Sequence, residues 1–137
     1  MGRARKGYRS RMKLNAKRLN HITVAVPAGE HDKVREFYAE ILGLEEVPRP
    51  AVLNAVYDLM WFRFLDILLH IDFTPPWFVP AENRHIALEV ENLPAVRRYL
   101  ESKQATIREA VPMPDRERFY LLDPFGNCFE LMEMKNR

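Results

Sequence analysis

The chain has 137 residues, 47% of them apolar, with 21 basic and 19 acidic side chains and one cysteine. That is the size of a single domain with enough apolar matter for a core. The lone Cys128 excludes a disulfide framework and a multi-cysteine zinc site, and the lack of an apolar run of about 18 residues excludes a membrane-spanning helix.

Residues 1–18 hold eight basic side chains and no acidic one, leaving 13 basic against 19 acidic in the rest of the chain. A like-charge block of this kind predicts a solvated, unstructured extension, with only salt-sensitive, non-specific contact to nucleic acid. No apolar stretch follows the basic start, so no secretory leader is expected and the cytoplasm is the expected compartment. The ordered domain is expected to span 19–137.

Beyond the extension, alternation predicts a strand over 19–26. Val34, Phe37, Tyr38, Ile41 and Leu42 recur at helical spacing and predict a helix over 30–42. Strands follow around 44–48, 59–65 and 67–73. Thr74-Pro75-Pro76 through Pro80 is a proline-rich link that cannot continue a central strand. A strand over 84–90, a helix over 93–103 with Asn92 as its cap, and strands around 105–111, 117–122 and 127–134 complete the chain. Asp123-Pro124-Phe125-Gly126 reads as a turn and predicts a hairpin that pairs Leu122 with Cys128 and Tyr120 with Glu130.

This order is βαβββ twice, over 19–73 and 84–134. His21-Ile22-Thr23-Val24-Ala25-Val26 in the first copy answers His85-Ile86-Ala87-Leu88-Glu89-Val90 in the second. The fold class is α+β: two βαβββ modules forming a cupped mixed sheet with helices on the convex face.

Side chains alternate faces along a strand. Ile22, Val24 and Val26, Ile86, Leu88 and Val90, and Ile67, Leu69 and Ile71 form apolar rows for packing under the helices. The opposite faces carry His21, His70, His85 and Glu130, one from each of four strands. Three imidazoles and a carboxylate suit a divalent metal: Zn²⁺, Fe²⁺, Ni²⁺, Mn²⁺ or Co²⁺. His31, on the helix, is expected to be exposed and outside this set.

Leu19-Asn20-His21-Ile22-Thr23-Val24-Ala25-Val26, Phe37-Tyr38 with Leu42-Gly43-Leu44, and Asp123-Pro124-Phe125-Gly126-Asn127-Cys128-Phe129-Glu130-Leu131 together resemble the vicinal oxygen chelate superfamily. That superfamily includes glyoxalase I, extradiol dioxygenases, methylmalonyl-CoA epimerase, fosfomycin-resistance transferases and bleomycin-binding proteins. The resemblance covers residues 19–134. It implies a divalent metal held by His21, His85 and Glu130, a small-molecule substrate bound through adjacent oxygens, and a homodimer. The fourth ligand position falls on Ile67 by one alignment and on His70 by face parity, and parity is preferred here.

Glyoxalase-like chemistry calls for a carboxylate or amide at that fourth position, and His70 departs from it. Pro112-Met113-Pro114-Asp115-Arg116 stands where fosfomycin enzymes carry a serine-rich loop. The expected function is a metal-dependent enzyme that stabilises an enolate or oxyanion; the alternative is a metal-free sequestering protein of the bleomycin-resistance type. Glu130 and Tyr120 are the catalytic candidates, with Tyr120 as hydrogen-bond or proton donor or else a packing aromatic. Arg63, Trp61 and Thr23 are the substrate-binding candidates, Arg63 as a clamp for carboxylate or phosphate or else a solvated, ion-paired residue. Thr23 reads equally as strand filler, and Cys128 as a small buried residue.

Overall fold

The computed structural model describes residues 13–54, 57–75 and 84–135. The expectations for residues 1–12, and for most of the proline-rich link, lie outside the described residues. Residues 13–20 are exposed and carry no strand or helix.

Each half builds one four-stranded sheet. In the first, β1 (His21–Pro27), β2 (Glu46–Val47), β3 (Leu59–Phe64) and β4 (Ile67–Thr74) stand in the order β1-β4-β3-β2. In the second, β5 (His85–Glu89), β6 (Thr106–Glu109), β7 (Arg116–Leu122) and β8 (Cys128–Met134) stand in the order β5-β8-β7-β6. β1 runs parallel to β4 and β5 parallel to β8, while the hairpin pairs are antiparallel. Each sheet is therefore mixed, and the duplicated βαβββ order is present. Among the described residues no strand ladder joins the two sheets. They touch at the seam, where Asn127 Nδ2 donates to the Ala25 carbonyl at 2.9 Å.

The expected helix over 30–42 is a short α1 (His31–Val34) running into a π-helical segment, Arg35–Ile41. The Leu42 amide donates to the Phe37 carbonyl, five residues back, at 2.9 Å. The wider turn brings consecutive side chains closer together around the axis. Both Phe37 and Tyr38 thereby enter the core, at 3% and 0% exposure, with their rings edge to face at 4.9 Å. A one-turn α2 (Ala51–Asn54), unexpected from the pattern, lies between β2 and β3 in the chain. In the second half α3 (Leu93–Ser102) is capped by the Asn92 side chain on the Ala95 amide. The Glu133 carboxylate also accepts from the Asn92 and Leu93 amides, at 2.8 and 3.1 Å, which places negative charge at the helix start.

One core serves both halves. Val24, Val26, Tyr38, Phe62, Leu69 and Ile71 from the first pack in one cluster with Leu100, Phe119, Leu121, Phe129 and Leu131 from the second. The apolar rows thus face the core and the opposite rows turn away from it, although on β8 Cys128, Glu130 and Met132 of that opposite row are buried as well.

A polar node ties the halves together inside this core. The Tyr38 hydroxyl donates to Asp123 Oδ2 at 2.7 Å, across 85 residues of sequence. Asp123 also accepts from the Phe125 amide, the Asn127 amide and Asn127 Nδ2. Gly126, at φ +95°, takes the left-handed position that lets the loop fold back over this carboxylate. Burial nevertheless pushes the Asp123 carboxyl above its ordinary value. The fold therefore favours the protonated acid. The stability this group contributes is full below the unfolded value of about 3.9 and is lost as pH rises through the folded value. Tyr38 offsets part of that loss by solvating the ionised form. Tyr38→Phe is expected to cost about 1–3 kcal/mol at neutral pH, and less near pH 4, where a carboxyl held above its ordinary value is already mostly protonated in the fold. Urea denaturation at both pH values checks this, and an equal loss at both would contradict it.

Candidate functional site

The outward face of the second sheet carries a charged cluster. Tyr120 on β7 stands opposite Glu130 on β8, and Leu122 opposite Cys128, in the expected register. Glu130 is nearly buried, with an 8% exposed side chain, and its Oε1 accepts from Arg118 Nη1 at 2.6 Å. Its Oε2 faces His85 Nε2 at 3.7 Å. The His85 ring meets Tyr120 edge-on at 5.7 Å. Arg118 also donates to the Tyr120 hydroxyl at 3.3 Å, and its Nε and Nη2 donate to the Val111 carbonyl at 3.3 and 2.9 Å. The guanidinium is pinned between the loop before β7 and the carboxylate of β8. The Glu130 hydrogen bond is the main cause of its raised pKa.

The outward face of the first sheet carries a stack of rings. Trp61 on β3 pairs with His70 on β4, which pairs with Thr23 on β1. The Trp61 and His70 rings are parallel at 4.3 Å, and His70 and His21 at 3.9 Å. His21 Nδ1 shares a 2.9 Å hydrogen bond with Asn20 Oδ1. Burial, then the neighbouring His21, holds the His70 imidazole below its ordinary value. Trp61 Nε1 and His70 Nε2 are buried with no hydrogen-bond partner among the described residues.

At the seam a cavity of about 250 Å³ opens between the sheets. Thr23, Asp72, Thr74, Arg84, His85 and Cys128 line it. Burial pushes the Cys128 thiol up, and the residue is a small buried filler as expected.

The four metal-ligand candidates thus stand as two pairs, His21 with His70 and His85 with Glu130. Among the described residues no three groups from His, Cys, Asp and Glu are gathered to hold an ion. Arg63 is exposed and ion-paired to Glu45 at 3.8 Å. The two-residue turn at Leu65-Asp66 holds and places Trp61 beside His70, with Leu65 at φ +55° in place of a glycine. His31 is half-buried rather than exposed, because its ring stacks on Phe73 at 3.9 Å and its Nε2 meets Asp58 at 2.8 Å. Arg118 was not anticipated. It lies two residues before Tyr120, hence on the same strand face, and that parity is the signal that finds it.

Residues 21–132 match the family model of the glyoxalase-like domain. The chain belongs to the glyoxalase-like family. It is thereby a member of the vicinal oxygen chelate superfamily. A protein from Bacillus anthracis described as belonging to the glyoxalase family is 33% identical, over 88% of this chain and 97% of its own, with a TM-score of 0.79. The fosfomycin resistance protein FosX of Listeria monocytogenes shares the fold at 18% identity, over 88% and 94% of the two chains, with a TM-score of 0.73. Lactoylglutathione lyase of Agrobacterium tumefaciens does so at 16% identity, over 86% and 94%, with a TM-score of 0.65. No curated protein matches the sequence. No described helix is long and apolar enough to cross a membrane.

Members of the superfamily commonly bind divalent metals. The second sheet of this glyoxalase-like chain fits such an ion as a half-site. Its imidazole nitrogen and carboxylate oxygen face one another at 3.7 Å, and both donor types suit first-row metals.

The ring stack makes a spectroscopic prediction. An imidazolium quenches a stacked indole, so in a Trp77→Phe background the Trp61 fluorescence is expected to fall on acidification. Its midpoint should lie below the ordinary histidine value of about 6.5, because burial and His21 disfavour charge on His70. A midpoint at or above that value would contradict the described stack.

Proposed function

We propose that this protein is a metal-dependent small-molecule enzyme of the vicinal oxygen chelate type. The observation that carries the reading is the converging His85–Glu130 pair on a strand face that also presents Tyr120. His85 and Glu130 would hold the ion in the second module. His21 and His70 would supply imidazoles from the first module, either in the same chain or in a second copy of a homodimer. A divalent ion held there would supply Lewis acidity toward a substrate with adjacent oxygens and would favour an enolate or oxyanion.

The chain's own residues do the rest. Tyr120 offers its hydroxyl as hydrogen-bond or proton donor beside Glu130. Glu130, a carboxylate held by Arg118, is the base candidate within the pair. Trp61 and Thr23 shape the first-module side of the substrate site. Arg63 offers a guanidinium for a substrate carboxylate or phosphate in exchange for Glu45. The buried, reduced Cys128 suits the cytoplasm. Size-exclusion chromatography tests the homodimer.

One observation favours a second reading, a metal-free sequestering protein. Arg118 already balances the Glu130 charge, so this carboxylate has a cation partner without any metal. Anaerobic purification without added metal, followed by elemental analysis, separates the two. The enzyme reading expects near-stoichiometric metal and at least a tenfold weaker retention in His85→Ala, following the usual loss when metal-site contacts are removed. Metal-free protein that still takes up a drug-like ligand would favour sequestration.

A further inference from the structure

We propose that Arg118 is a built-in counter-cation that sets how tightly Glu130 and His85 take a divalent ion. The inference rests on the metal reading above and assigns a role to a residue that reading does not use. Arg118 acts through Glu130 rather than on a reactant, so it is a positioning residue.

The geometry divides the Glu130 carboxylate into two jobs. Oε1 is held by Arg118 Nη1 at 2.6 Å, and Oε2 faces His85 Nε2 at 3.7 Å. The guanidinium cannot swing aside cheaply. Its Nε and Nη2 are fastened to the Val111 carbonyl, its Nη1 reaches the Tyr120 hydroxyl, and its side chain is 15% exposed. Such a fork fixes the orientation of a carboxylate as well as its charge. With Arg118 in place the carboxylate can offer one oxygen beside His85 and is barred from wrapping both around an ion.

The same guanidinium is a fixed positive charge at the ion's edge. Two like charges a few ångströms apart in a partly buried site repel strongly, and a divalent ion doubles the effect. The other arginines nearby are placed differently. Arg116, two residues earlier on the same strand face, is neutralised by Asp115 at 3.0 Å. Arg108 lies across from Tyr120 on β6 and makes no ion pair with Glu130 among the described residues. Arg118 is therefore the charge that an incoming ion meets on this carboxylate. When no ion is present it spares Glu130 the cost of an unpaired buried charge. When an ion binds, it weakens the hold and keeps Glu130 to a single donor oxygen.

Zinc titration by isothermal calorimetry tests this on the full chain stripped of metal. Arg118→Gln keeps a hydrogen-bond donor and removes the charge, and is expected to bind Zn²⁺ at least tenfold more tightly than wild type, the scale of one like charge removed from contact range. Arg118→Met should tighten binding further, because both carboxylate oxygens are then released. Arg118→Lys keeps the charge and should stay within about threefold of wild type, and Arg108→Gln, which removes an equal charge from the neighbouring strand, should shift affinity less than Arg118→Gln. Circular dichroism confirms that each variant is folded. Should Arg118→Met fail to fold, the Gln and Lys pair still decides. Equal or weaker zinc binding in Arg118→Gln, with wild type binding zinc, overturns the counter-cation role alone. No zinc binding by wild type or by any variant overturns the metal reading, and this proposal with it.

Discussion

The structure depends on one constraint: a strand buries every second side chain and must present the others elsewhere. Each sheet spends one face on the shared core, where Val26, Phe62, Leu69, Ile71, Phe119 and Leu121 are almost wholly buried. The remaining face turns away from that core. It is there that His21, His70 and Thr23 line up on the first sheet, and His85, Glu130, Tyr120 and Arg118 on the second. The functional candidates are thus a by-product of which parity is apolar. A one-residue slip in any strand would exchange the two sets.

That constraint explains what was legible in the sequence. Period-two alternation is read directly, so the strand faces, the Tyr120–Glu130 register and the Trp61–His70 neighbourhood all follow from residue order. The turn at Asp123-Pro124-Phe125-Gly126 is equally local, since Asp123 accepts from the amides of Phe125 and Asn127 within five residues. The π segment was not legible. Its cause is tertiary: two adjacent aromatics, Phe37 and Tyr38, both fill core positions that an ordinary α-turn would set further apart. Nor was the Tyr38–Asp123 bond, whose partners are joined only once both halves have folded onto each other.

Arg118 marks a different boundary. Parity alone places it on the site face, but so does it place Arg116. What separates the two is the partner each finds, Asp115 beside Arg116 and Glu130 across from Arg118. An arginine that balances a carboxylate and one that is merely solvated look the same in a linear chain. The distinction comes from long-range register and from the Val111 carbonyl that holds the guanidinium in place.

The two half-sites differ in readiness, and ring geometry says why. An imidazole nitrogen offers its lone pair in the plane of the ring. His21 and His70 are stacked at 3.9 Å with planes 12° apart, so their lone pairs lie in parallel planes and do not converge. His70 is further clasped against Trp61, which leaves its ring little freedom to turn. His21 is on the edge strand and exposed, and among the described residues its ring nitrogens meet only the side chain of Asn20. Of the first-module pair, His21 is therefore the ring that can swing toward an ion at little cost, while His70 would have to leave its stack on Trp61 to follow. The second-module pair needs no such movement, since Glu130 already directs its outer oxygen at His85. Duplication has given both halves the same scaffold, and the difference between a stacked wall and a converging pair follows from what stands on it, His70 beside Trp61 in the first half and Glu130 beside Tyr120 and Arg118 in the second.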